Sequence, residues 1–126
     1  MRLAEIKQFL ECQPVSPNAA EADLDIDIQC AYASDLMSDI LVKVKPGSLL
    51  LTGLTNNQVV RTGKVAAIGA IIFVRGKKPN ADTVKLAEYY NIALLATGLS
   101  MFDACGMLYS RGIKGVSSED CALNKI

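Results

Sequence analysis

Hydrophobic and polar positions along the chain fall into two periods. Leu3, Ile6, Phe9 and Leu10 recur at spacings of three, four and seven, which predicts a short amphipathic helix over residues 2–11. Residues 12–23 carry two prolines among small polar residues and read as a loop. In "LDIDIQCAY", Leu24, Ile26, Ile28 and Cys30 alternate with Asp25, Asp27 and Gln29, the period of a half-buried strand. Inserted charges suit such a strand to a sheet edge. Three continuous apolar runs follow: "SLLLTGL", "AIIFV" and "IALLAT". Short apolar runs bounded by turn residues predict strands buried on both faces.

Helical segments separate these runs. "SDLMSDILV" reads as a helix capped by Ser34, with Asp35 in its first turn and Leu36, Met37, Ile40 and Leu41 on its apolar face. Thr55 and Gln58 form a capping box before "VVRTGKVAAIG". Asn80 caps "NADTVKLAEYYN", and Asn91 suits its left-handed C-terminal position. Ser100 and Asp103 form a further box before "SMFDACGMLYSRG", which Gly112 ends. The order αβαβαβαβα predicts an α/β domain: a three-layer α/β/α sandwich on a mostly parallel or mixed sheet of four to five strands. We expect one domain over residues 1–126, with a core at 1–114 and a weakly periodic tail at 115–126.

Composition narrows the function. Thirteen basic and thirteen acidic residues give no net charge, which argues against a nucleic-acid binder or a polybasic membrane binder. The longest apolar run, residues 65–74, is half the roughly 20 residues a membrane helix needs. Glu5, Lys7 and Glu11 interrupt the start where a signal peptide is apolar, and the expected location is cytoplasmic. The four cysteines lack a C-x-x-C pair and read as small core residues, reduced in a cytosol. The chain has no histidine, so no Ser-His-Asp triad or Cys-His dyad exists, and neither cofactor nor metal is expected.

Two sets of residues are candidate sites. "RTGKV" looks like the end of a phosphate loop, but Gln58 stands where its first glycine belongs and Val65 where Ser or Thr belongs. The stretch also lies inside a predicted helix, so Gly63 reads as a packing glycine. A more credible anion site is formed by the strand ends, where ligands sit in open α/β sheets and helix N-termini expose amides. Thr52, Gly53, Thr55 and Asn56 follow the first apolar strand, Arg75, Gly76 and Lys77 the second, and Thr97, Gly98 and Ser100 the third. Any βα turn also needs glycine and a cap, whatever it binds. Asp35 and Asp39, one helical turn apart, are a candidate acidic site, as are Asp25 and Asp27, although charges on solvated faces account for both pairs.

"AYASDLMSDIL", "LLLTGLTNNQVVRTGKV", "GAIIFVRGKKP" and "ALLATGLSMFDACGMLY" together resemble the DRTGG domain, over roughly residues 1–114. That domain resembles the N-terminal domain of HPr kinase/phosphorylase and accompanies CBS domains in regulated pyrophosphatases and some phosphotransacetylases. The family pattern joins Asp-Arg at the start of the third helix to Thr-Gly-Gly after the following strand. Thr55-Asn56 and Val74-Arg75-Gly76 stand there, and only the last glycine matches. The resemblance implies a three-layer regulatory module without catalysis of its own, often a homodimer. Stand-alone forms are similar to those found beside iron-only hydrogenase and related redox genes in anaerobic bacteria. The expected function is a non-enzymatic module for a small anionic, nucleotide-like ligand or a partner protein. The alternatives are a small phosphotransferase or metal-dependent hydrolase using Asp35 and Asp39 with Arg75, and a pure assembly subunit.

Overall fold

The computed structural model describes residues 1–20, 26–117 and 121. Leu24, Asp25 and most of the tail beyond residue 117 lie outside the described residues. The helices given for the described residues are α1 (Leu3–Phe9), α2 (Met37–Lys43), α3 (Asn57–Val65), α4 (Ala81–Tyr89) and α5 (Met101–Ser110). The strands are β1 (Gln13–Pro14), β2 (Cys30–Ala33), β3 (Leu49–Thr52), β4 (Ala70–Phe73), β5 (Ala93–Ala96) and β6 (Lys114–Gly115). They form one sheet in the order β1-β5-β4-β3-β2-β6, parallel except for β1 against β5.

Every residue of β3, β4 and β5 is buried, as the continuous apolar runs predict. Their side chains alternate between two cores. Leu49, Leu51, Ile72 and Leu95 pack with Leu3 and Ile6 of α1 and with Ala104 and Leu108 of α5. Leu50, Ile71, Phe73 and Leu94 pack with Ile40 of α2, Val59 and Val60 of α3 and Ala87 of α4. The sheet is thus the middle of three layers, with two helices on one face and three on the other. Gly63 makes that second face close. A Cβ there would stand 2.6 Å from Cδ1 of Ile68 and 3.6 Å from Cδ1 of Ile71. The "RTGKV" stretch lies within α3 and presses against the sheet.

Four helices end alike. The amides of Cys12, Ile68, Ile92 and Ile113 donate to the carbonyls of Lys7, Gly63, Ala87 and Leu108, five residues back. The residue before each adopts positive φ: Glu11, Ala67, Asn91 and Gly112. This is the Schellman closure, in which an apolar residue follows a left-handed one. Asn91 and Gly112 hold the positions the sequence assigns them. Asn80 and Ser100 also cap as expected, accepting from the amides of Thr83 (3.0 Å) and Asp103 (3.2 Å).

Several expectations are corrected. Residues 12–23 are not all loop: β1 pairs with the edge of β5, and a 3-10 turn covers Pro17–Ala20. Pro14 is tolerated there because an edge strand can lack an inward amide. β2 is shorter than its alternating pattern and is not at the edge, because β6 lies outside it. Ser34 does not cap α2. β2 runs to Ala33, the helix begins at Met37, and Ser34 Oγ accepts from the Leu36 amide within the turn (3.0 Å). Thr55 does not cap α3. Asn56 does, its Oδ1 accepting from the Val59 amide at 3.1 Å.

The cysteines also differ from expectation. Cys30 and Cys121 form a disulfide, with Cα atoms 5.7 Å apart, while Cys12 and Cys105 are free. The bond ties residue 121 to β2, across 91 residues of chain. Denatured without reductant, the chain is expected to titrate two thiols, Cys12 and Cys105, and four after reduction. Reduction is expected to cost about 2–4 kcal/mol of stability, read as a fall in the melting midpoint. Four thiols before reduction would show the pair to be open.

Candidate functional site

The parallel register brings successive strand ends level. Ala33 pairs with Leu51, so two residues later Asp35 stands beside Gly53. There its carboxylate accepts from the Gly53 amide (2.7 Å) and the Thr52 hydroxyl (2.8 Å). The turn is tightened again by the Leu54 amide, which donates to Thr52 Oγ1 at 3.2 Å. Gly53 leaves room for the end of a neighbouring side chain. A Cβ at this position would lie 2.8 Å from a guanidinium nitrogen of Arg75 and 3.5 Å from Asp35 Oδ2. The glycine is the gap through which Arg75 reaches the end of β3, next to Asp35.

Arg75 is held from behind by its own backbone. Its amide donates to the Leu99 carbonyl and that of Gly76 to the Thr97 carbonyl, both at 2.8 Å. Arg75 has φ +59 and Gly76 φ +69. Left-handed backbone costs a residue with a side chain about 1–2 kcal/mol. Glu11, Ala67 and Asn91 bear that cost at helix ends. Among the described non-glycine residues with positive φ, Arg75 alone stands at a strand end.

This place is also where the topology turns over. From the adjacent strands β4 and β5, α4 leaves to one face of the sheet and α5 to the other. Such a reversal opens a crevice at the C-terminal strand ends of a doubly wound sheet, the usual ligand position in that architecture. Here the β4–α4 and β5–α5 loops meet at that place and are joined directly by the Arg75 and Gly76 amides.

The charges reinforce one another. The Gly53 amide, then the Thr52 hydroxyl, and the nearby Arg75 and Lys77 cations hold the Asp35 carboxyl below its usual range, against partial desolvation that acts the other way. Asp39 takes no part. Desolvation and the Asp39 carboxylate beside it push the Tyr32 phenol above its usual range. The acidic pair therefore separates: Asp35 precedes α2 and faces β3, while Asp39 lies in α2 and faces Tyr32. Asp27 is on the other side of the molecule, 3.1 Å from the Met1 amine, and Asp25 lies outside the described residues. Among the described residues no three His, Cys, Asp or Glu side chains come together as metal ligands. Burial pushes the Cys12 thiol up to about 12 and raises that of Cys105, so neither is poised as a thiolate nucleophile.

The strand-end candidates divide into two groups. The Thr52 and Thr97 hydroxyls are buried and engaged, Thr97 donating to the Leu10 carbonyl at 2.7 Å. Asn56 and Ser100 spend their side-chain oxygens on caps. Arg75, Gly76, Asn56 and Ser100 face solvent, and Thr55 is half-buried. The partnership of Asp35 with Gly53 is not visible as a helix-start signal, and the signal that carries it is the register of β2 on β3. Other cavities lie elsewhere. One of about 280 Å³, at the start of β2 and β6, is lined by Gln29, Arg111 and Lys114 among others.

Fold and site define a doubly wound α/β domain with a charged strand-end turn. It is similar to the crystal structure of the CBS and DRTGG domains of the regulatory region of Clostridium perfringens pyrophosphatase, complexed with its activator diadenosine tetraphosphate. The TM-score is 0.65 and the sequence identity 17%, over 89% of this chain and 45% of that one. At the level of the fold, this likeness bears out the DRTGG resemblance. No family model matches the chain, and no curated protein matches it by sequence.

Replacing Asp35 tests the turn. A carboxylate whose folded pKa is depressed contributes stability above its unfolded pKa, about 3.9, and loses it as pH falls through the folded value. Asp35→Ala is expected to cost about 1–2 kcal/mol at pH 7. In chemical denaturation, the gap from the parent is expected to narrow below pH of about 4. A gap unchanged down to acid pH would show that the charge of Asp35 does not hold the turn.

Proposed function

We propose that this chain is a non-enzymatic regulatory module that binds a small anionic, nucleotide-like ligand at the β4–α4 and β5–α5 strand ends. The observation that carries the reading is the conformation of Arg75. Strained backbone persists where surrounding structure over-determines it, and such residues gather at ligand clamps and switches. Here the strain delivers a guanidinium, the group best suited to phosphate, to the C-terminal end of a parallel sheet. Gly76 and Lys77 continue the exposed, cationic turn. The nucleotide-bound regulatory region with the same fold supports the ligand class.

Asp35 limits where the anion sits. Its carboxylate already fills the Gly53 amide, so a phosphate there would meet a like charge. The ligand anion engages Arg75 and Lys77 instead and draws the guanidinium from its place beside Gly53. The loop after β4 then shifts against the loops next to it, and the population moves toward a state a partner reads. Arg75 lies near enough to Asp35 to act on its charge, while Asp39 is turned away to Tyr32. That geometry favours the binding module.

The test is Arg75→Gly. Glycine suits positive φ, so the variant is expected to melt no lower than the parent. Parent protein with a nucleotide, a dinucleotide or a phosphorylated metabolite at 100 times its dissociation constant gains about 2.7 kcal/mol. This corresponds to a rise of roughly 8–15 °C in the melting midpoint, which Arg75→Gly is expected to abolish. No shift in the parent across that panel, or a shift that survives Arg75→Gly, would overturn the reading.

A further inference from the structure

β2 carries small side chains where its neighbours carry large ones. In "CAYA", Cys30 and Tyr32 point to one face of the sheet and Ala31 and Ala33 to the other. Tyr32 packs into the core under α2, α3 and α4. Ala31 and Ala33 lie on the face of α1 and α5, where the strands beside them present Leu51, Ile72 and Leu95. Two alanines in succession leave volume that α5 does not fill. A groove of about 190 Å³ opens there, floored by Ala31, Ala33 and Leu51 and walled by Leu108 and Tyr109. Ile113 and Lys114 close one end of it and also line the cavity of about 280 Å³ at the start of β2 and β6. The groove and the cavity therefore meet at those two residues. The disulfide takes residue 121 elsewhere, because Cys30 shares the face of Tyr32 and not that of Ala31.

The cavity is cationic while the groove is apolar. Arg111 and Lys114 both line the cavity. The Arg111 guanidinium lies over the Phe9 ring at 4.3 Å, and Lys114 Nζ over the Tyr109 ring at 5.5 Å. The rings hold both cations in place without cancelling their charge. Among the described residues neither cation forms an ion pair with a carboxylate. The Met1 amine on the same wall is already matched by Asp27, at 3.1 Å. A guanidinium fits the two oxygens of a carboxylate, and the lysine adds a second charge. One end of the site thus suits an anion and the other a hydrocarbon. From Gln29 to Ala33 the strand covers about 13 Å, at roughly 3.3 Å per residue, which is room for an extended aliphatic chain of medium length. The floor presents the side chains of paired strands, not a strand edge. An extended peptide laid on it would find no backbone partners, and an aliphatic chain needs none.

We propose that this is a second binding site, for a medium-chain fatty acid, with the carboxylate against Arg111 and Lys114 and the tail over Ala31 and Ala33. It lies toward the start of β2, away from the Asp35 turn, and does not rest on the reading of Arg75. Calorimetric titration of the full chain with butanoate, hexanoate and octanoate tests it. Affinity is expected to rise about fourfold for each added methylene. Octanol, which has the tail without the charge, is expected to bind about tenfold more weakly than octanoate. Arg111→Gln is expected to weaken octanoate about tenfold and to keep the gain with chain length. Ala31→Leu fills the groove and is expected to melt no lower than the parent, to remove the gain with length and to leave butanoate unchanged; Ala33→Leu is a second variant of the same kind. Arg75→Gly is expected to bind octanoate as the parent does. No binding of octanoate by the parent, with the groove left to the chain's own tail or to another protein, would overturn the proposal. So would octanol binding as tightly as octanoate, butanoate binding as tightly as octanoate, or binding only to vesicles that contain fatty acid.

Discussion

The arrangement depends on three four-residue strands being buried on both faces. β3, β4 and β5 expose none of their residues, so their backbone groups can be satisfied only by neighbouring strands. That requirement fixes the register, because slipping one residue would exchange the two cores along the whole strand. It also forces helices onto both faces and aligns the C-terminal strand ends. The meeting of Asp35, Gly53 and Arg75 follows from this alignment more than from any local signal.

At those ends the charges form a closed arrangement. Asp35 acts as an internal anion on the Gly53 amide, and Arg75 reaches it through the space a side chain at 53 would fill. β2 is joined to β3 through Asp35, and β4 to β5 through the Arg75 and Gly76 amides, with the Arg75 side chain lying between the two pairs beside Gly53. A residue in such a position joins loop geometry to charge.

Most of the fold was legible in the sequence because burial on both faces leaves an unbroken apolar run, which β3, β4 and β5 display. Caps at Asn80 and Ser100 and stops at Asn91 and Gly112 were legible because each satisfies helix-end groups with a local side chain or a left-handed backbone. β1 and β6 were not, since two residues carry no period and their pairing is set by distant strands. Ser34 and Thr55 were misread for a related reason: a side chain suited to a cap is a local fact, while the residue at which a helix starts depends on how far the preceding strand is held. The disulfide joins positions 91 residues apart, a proximity that no local pattern encodes. At the site, the residue types at the strand ends were legible. The separation of Asp35 from Asp39 was not, because it rests on which neighbouring strand each one faces.

The consecutive positive φ angles at Arg75 and Gly76 set apart what this turn asks of its main chain from what it asks of its side chains. The family pattern has two glycines where these residues stand, and glycine occupies that backbone without strain. The same pattern places an arginine at the start of the third helix, where this chain has Asn56. In this chain a guanidinium lies beside the turn before that helix, delivered from the neighbouring loop. The turn thus asks two separate things of its sequence: a main chain that can bend to positive φ twice in succession, and a cation placed near Gly53. Glycine would meet the first at no cost and could not meet the second, whereas Arg75 meets the second by bearing the strain of the first.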